Sequence, residues 1–168
     1  EGTGAVTDEA WEAISTIRAI LKQQPSPMTV TMQTVFLRRA EDEAVCRRLF
    51  EAYYGDRLPA TRFVIQPPCG GQSLAIEAWA LGGKNADIQF IAPNVVSAAY
   101  DGLRWIHIGG ITPPKNVTSP YEQSRHVFEE MVARLDLAEA SFRDVVRTWL
   151  YIGGITEIQN GIERYREL

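Results

Sequence analysis

An α+β fold is the class this sequence predicts, and three observations predict it. A helix-then-strand pattern occurs twice, an Asp-Gly pair separates two β-prone runs, and helical and extended segments follow one another in mixed order rather than in a regular β-α series. The repeat relates residues 10–37 to residues 124–151. Ala19 stands opposite Ala133, Leu21 opposite Leu135 and Thr34 opposite Thr148, a constant offset of 114 residues. Each copy reads as an amphipathic helix, then an apolar strand, then a second helix, which is the signature of a duplicated unit.

Taken in order, Trp11, Ile14, Ile17 and Leu21 fall on one helical face, with Thr7 or Asp8 as N-cap, and Pro25-Ser-Pro27 ends the helix. Residues 28–37 are rich in Thr, Val and Phe and read as a strand. Residues 41–54 are helical, with Val45, Leu49, Ala52 and Tyr53 inward and Gly55 as the stop. Residues 62–65 and 74–81 are strands joined by the loop Pro67-Pro-Cys-Gly-Gly71, where two prolines forbid a central ladder. Gly82-Gly83 marks an internal boundary. Beyond it, 88–92 is extended, and 95–100 and 103–108 flank Asp101-Gly102, the strongest hairpin signal in the chain. Residues 119–137 contain a helix with Val127, Met131 and Leu135 inward. Residues 145–152 read as a strand, and a last helix opens near Glu157.

Composition bounds the functional classes. The chain has 168 residues, 45% apolar and 23% charged, which is ordinary for a globular protein with a sound core. Its net charge of −4 is spread evenly, so no basic footprint for a nucleic acid exists. Arg38-Arg39 and Arg47-Arg48 flank Glu41, Asp42 and Glu43 and read as a self-paired helix face. No apolar run is long enough for a membrane span, and no signal peptide is visible. Cys46 and Cys69 make no disulfide scaffold, so the expected setting is reduced and cytoplasmic. With the dispersed His107 and His126 they make no metal set either, and no cofactor is expected. His107 reads as a packed or hydrogen-bonded strand residue, and Cys69 lacks a local signature for a nucleophile. The first residue is not Met and the last four, Tyr165-Arg-Glu-Leu168, lie within what reads as a growing helix, so the sequence is expected to be a fragment.

Four segments carry a family resemblance. Trp105-Ile-His-Ile-Gly-Gly-Ile-Thr-Pro113 resembles the strand and Ser-Gly-Gln-Ile-Pro turn of the YjgF/RidA superfamily, whose members often carry an endoribonuclease label. Ser141-Phe-Arg-Asp-Val-Val-Arg-Thr-Trp-Leu-Tyr151 resembles its Asp-Val-Val-Lys-Thr strand, Leu58-Pro-Ala-Thr-Arg62 its Pro-Ala-Arg strand, and Ala75-Ile-Glu-Ala-Trp79 its Ile-Glu-Ala ending. The order of the segments is similar to the tandem-domain branch of chorismatases. The resemblance implies two RidA-like (chorismate-mutase-like) halves, each a mixed sheet with helices on one face. Residues 1–82 would be the later part of a first domain and residues 83–168 the earlier part of a second. It also implies a homotrimer with clefts between subunits, and addition of water to a carboxylate-bearing enol ether, enamine or imine, with chorismate as lead candidate.

That chemistry needs a cation for the substrate carboxylate and an acid–base group near the reacting carbon. Arg62 is the candidate substrate-binding residue, because a guanidinium fits a carboxylate bidentately. Glu77 is the candidate catalytic residue, able to orient water or pass a proton. The structural alternatives are an arginine that caps a surface strand and a glutamate paired with a neighbouring cation. Three departures from the family pattern stand out. Thr61 intervenes between Pro-Ala and the arginine, which in a strand exchanges faces. Gly109 and Ile111 replace the turn serine and glutamine. The resemblance also implies that the chorismatase catalytic acid would fall near the end of a second domain, past the matching part of these 168 residues. The expected partner is a small carboxylate-bearing molecule, with neither nucleic acid nor membrane as alternatives.

Overall fold

The computed structural model describes residues 4–159 and 161–167 and has the α+β class. Its chain divides into two compact units, Glu1–Gly110 and Ile111–Leu168. The boundary expected at Gly82–Gly83 falls inside the first unit. Among the described residues no helix is long and apolar enough to cross a membrane.

The first unit is organised around β1 (Met28–Leu37), ten residues dominated by β-branched and long apolar side chains. A helix, α2 (Glu43–Tyr54), carries the chain over to β2 (Ala60–Ile65), which pairs parallel to β1, Thr34 opposite Arg62. Parallel neighbours need such a crossover. The chain then passes to the other side of β1 and returns as β3 (Leu74–Gly82), antiparallel, Thr34 opposite Glu77. The strand order is β2-β1-β3. Adjacency in the chain alone would make these two consecutive strands, joined by the Pro67–Gly71 loop, a hairpin, and the structure corrects that expectation. Pro67 and Pro68 cannot donate to a ladder, and β1 occupies the place between them.

Alternation along β1 assigns its two faces. Val35 and Leu37, both fully buried, pack with Val6, Ala10 and Ile14 of α1 (Gly4–Lys22) and with Cys46 and Phe50 of α2. These residues recur every four positions on each helix, which makes the apolar stripe. Trp11 does not join it. It is 53% exposed and meets Tyr53 edge-on at 5.7 Å, because the stripe through Val6, Ala10 and Ile14 already fills the contact. Likewise Cys46 and Phe50, not Ala52, carry the buried face of α2. Gly55 ends that helix at φ 55°, a region that favours glycine.

The other face of the sheet meets a second sheet of the same unit, β4 (Asp87–Ala92), β5 (Val95–Tyr100) and β6 (Leu103–Ile108), ordered β4-β5-β6 and antiparallel throughout. Asp101 and Gly102 at φ 49° and 76° make the tight β5–β6 turn that the sequence signals. Met32, Ala60 and Val96 form the buried contact between the sheets, with Ile88 and Phe90 beside them. Glycines permit the closest approach. A Cβ on Gly110, at φ 64°, would lie 2.6 Å from the Thr61 carbonyl oxygen, and one on Gly109 would lie 3.2 Å from the Ala60 carbonyl carbon. Asn94 fastens the same spot, its side-chain oxygen accepting from the Thr61 backbone N–H at 2.9 Å.

In the second unit α3 (Pro120–Leu137) begins as expected, with Ser119 as N-cap and Pro120 in the first turn. The rest differs from the expected repeat. Phe142–Asp144 is a 3-10 turn held by a Ser141–Asp144 capping box, and residues 145–152 form no strand. The anticipated last helix is replaced by the two-residue strands β7 (Ile158–Gln159) and β8 (Ile162–Glu163) and a 3-10 turn, Arg164–Glu167. Residues 124–167 therefore do not reproduce the helix–strand–helix of residues 10–54. The physical reason is that β-propensity is a preference for a partnered, half-buried surface. Val146 is 88% exposed, and no described strand pairs with residues 145–152.

One polar contact at the entry to α2 is expected to matter for stability. The Asp42 carboxylate is fully buried, and both oxygens accept from Arg39, at 3.0 Å from Nε and 3.1 Å from Nη2. Arg39→Ala leaves that carboxylate short of donors and should cost about 1–3 kcal/mol in denaturant unfolding, the loss expected when a buried polar partner is removed. An unchanged unfolding midpoint would show that solvent replaces the guanidinium at no cost.

Candidate functional site

Arg62, Thr34 and Glu77 occupy a single cross-strand row, because Thr34 is the register partner of Arg62 on one side and of Glu77 on the other. Directly opposed residues share a face, so all three project from the side of the sheet opposite the helices. Two strand spacings separate the backbones of Arg62 and Glu77, about 10 Å. Arg62 is half-buried and donates from Nε to Thr34 Oγ1 at 2.7 Å; Glu77 is exposed. The row brings the two sequence-predicted site residues together on one surface, a cation and an anion flanking a hydroxyl. Phe36 and Ala75 lie one row further along, and Met32 and Trp79 lie on the preceding row.

Thr61 explains how the arginine reaches this face. The residue between Ala60 and Arg62 points to the helix side, where its hydroxyl donates to the Pro59 carbonyl at 2.8 Å and accepts from Gln33 Nε2 at 3.0 Å. Tyr54 of α2 completes this buried group by donating to Gln33 Oε1 at 3.4 Å. Burial, and then the neighbouring Tyr53, push the Tyr54 hydroxyl up to about 12, so it acts as a neutral donor and not as a base. A buried glutamine in the centre of an apolar strand is the signal in the sequence that such a network exists. Its partners in β2 and α2 depend on the parallel register and were not legible.

Beyond Met32 the ladder between β1 and β3 slips between Val30 and Met32, a bulge that leaves Thr31 as the extra residue. Thr31 donates to the Trp79 carbonyl at 3.3 Å and lies 3.0 Å from His107 Nδ1. In the contact between Thr31 Oγ1 and Nδ1 the donor is set by the tautomer of the ring. His107 also meets the Trp79 ring edge-on, centroids 6.1 Å apart. The histidine thus fastens β6 to the bulged end of β1 and β3. Burial lowers its pKa below the ordinary 6.5.

The remaining candidates take structural or peripheral places. Cys46 is buried in the helix–sheet core, where desolvation and then Asp42 push its thiol up to about 11, the opposite of an activated nucleophile. Cys69 is exposed in the loop between β2 and β3. Gly109, where the resembling family carries its turn serine, is held against the backbone of Ala60 and has no room for a side chain without movement. Among the described residues no group of three or more His, Cys, Asp or Glu is placed to hold a metal ion. An open, mainly apolar groove lies on the helix side, lined by Thr7, Asp8 and Trp11 of α1 and Leu49, Ala52 and Tyr53 of α2. Its polar lining residues, Thr7, Asp8 and Tyr53, include no cation, unlike the row on the sheet.

The lowered pKa of His107 has a thermodynamic consequence. The folded chain favours the neutral ring, so below pH 6.5 the unfolded chain takes up a proton that the folded chain resists. The contribution of the neutral ring to stability is complete above pH 6.5 and declines as the pH falls below it. His107→Gln keeps a donor near Thr31 and should flatten the stability profile between pH 5 and 7, roughly the range in which histidine titrates. Denaturant unfolding across that range tests this, and an identical slope in the variant would contradict it. No known family, curated protein or solved structure matches the chain.

Proposed function

We propose that the chain belongs to an enzyme of the RidA/chorismatase type that adds water to a small carboxylate-bearing enol ether, enamine or imine, with chorismate as lead candidate substrate. The observation that supports this is the row of Arg62, Thr34 and Glu77 on one sheet face. Arg62, held at Nε by Thr34, would offer its planar guanidinium to the substrate carboxylate, for which it has the matching geometry. Glu77, across the strand, serves as the proton carrier. Protonation of the terminal methylene of an enolpyruvyl ether makes the ether carbon electrophilic and water adds there. The proton lost from that water returns to the carboxylate, and the hemiketal collapses to pyruvate and the free alcohol. The protein would act as a cytoplasmic homotrimer, without metal or cofactor.

One observation favours a second reading, a ligand-binding module of the same family without turnover. Gly109 and Ile111 remove the two polar side chains of the family turn, and a side chain at Gly109 would need the backbone of β2 to shift by a few tenths of an ångström. An endoribonuclease role is the least supported, because the evenly spread net charge of −4 offers no phosphate footprint.

Chorismate separates the first two readings. Pyruvate release indicates hydrolysis, and saturable binding without pyruvate indicates the module. Arg62→Ala should weaken chorismate binding by about 1.5–3 kcal/mol, the range for a hydrogen bond to a charged group. Glu77→Gln keeps the shape but removes the proton carrier, so it should lower turnover more than binding. If both substitutions alter only the melting temperature, the row is structural and the reading fails.

A further inference from the structure

We infer that Thr34 is a positioning residue that fixes the guanidinium of Arg62 for carboxylate recognition, an inference that rests on the role proposed above for Arg62. Thr34 lies at the centre of the buried strand β1, 1% exposed, and is the register partner of both Arg62 and Glu77. A hydroxyl buried in an apolar strand is costly unless it is hydrogen-bonded. Its hydrogen-bond partner is Arg62 Nε, at 2.7 Å. Valine has the same branched shape and the same strand preference without that cost, so the strand itself does not need the hydroxyl. What the hydroxyl adds is orientation. An arginine held at Nε has lost its rotamer freedom before a ligand arrives, and its fork then meets a carboxylate preorganised.

The test compares Thr34→Val, Thr34→Ala and Thr34→Ser in the full chain, each confirmed as folded by circular dichroism. The first readout needs no ligand: the Nε–H resonance of Arg62, assigned through Arg62→Lys, followed for exchange with solvent. Slow exchange is expected in the parent and in Thr34→Ser, and fast exchange in Thr34→Val and Thr34→Ala. The second readout is the dissociation constant for chorismate. It should rise about 10-fold in the two hydroxyl-free variants, as for loss of one charge-assisted hydrogen bond, and be restored to within about twofold in Thr34→Ser. The effect should fall more on KM than on kcat. Slow Nε–H exchange and unaltered chorismate binding in Thr34→Val would overturn the inference while leaving the role of Arg62 intact. Chorismate binding unaffected by Arg62→Ala would instead overturn that role. Thr34 would then be a structural partner only, whatever the exchange data show.

Discussion

The central strand β1 must satisfy two faces at once, and the first unit is arranged around that demand. On one face Val35 and Leu37 require an apolar cover, which α1 and α2 supply through Val6, Ala10, Ile14, Cys46 and Phe50. Gln33, on the same face, requires polar partners inside that cover and finds Thr61 and Tyr54. On the other face Met32 is sealed by Val96 and Ala60, while Thr34 is closed off by Arg62. Residues in a strand cannot exchange faces singly. The same register that buries Val35 and Leu37 therefore places Arg62 and Glu77 on either side of Thr34.

Electrostatics and packing divide the sheet's outer face into two regions. Toward the start of β1 the face is sealed by the second sheet, with His107, Thr31 and Trp79 linked by short polar contacts and Gly109 and Gly110 lying against β2. Toward the end of β1 the face carries the charged row. A guanidinium tied to a buried hydroxyl loses little further freedom on meeting a ligand, whereas an exposed glutamate keeps its mobility and its contact with water. Those are the separate demands of the recognition and proton-transfer roles proposed for the two residues. The residues lining the helix-side groove include no cation.

Much of the first unit was legible in the sequence because its signals are local. The Asp101-Gly102 turn, the strand character of residues 28–37 and the stop at Gly55 follow from backbone preferences of a few residues. The chain order of the strands bearing Arg62 and Glu77 was legible, but not their connection. A hairpin was inferred from adjacency, whereas β1 intervenes between the two strands. The second unit shows the limit of the same reasoning. Val145-Val-Arg-Thr-Trp-Leu-Tyr151 has strong strand propensity, yet no described strand pairs with it. Propensity names what a segment suits, and only a partner makes it a strand. The bulge at Thr31, and the histidine that uses it, were illegible because a register slip is fixed by the neighbouring strand and not by the residue itself.

The most direct measurement is a titration of chorismate into the uniformly 15N-labelled chain, followed by amide chemical shifts. Saturable shifts centred on Thr34, Arg62 and Glu77, with little change at Trp11, Leu49 and Tyr53 of the helix-side groove, are the result expected if the row is the binding surface. Shifts confined to the groove, or none at millimolar chorismate, would contradict it.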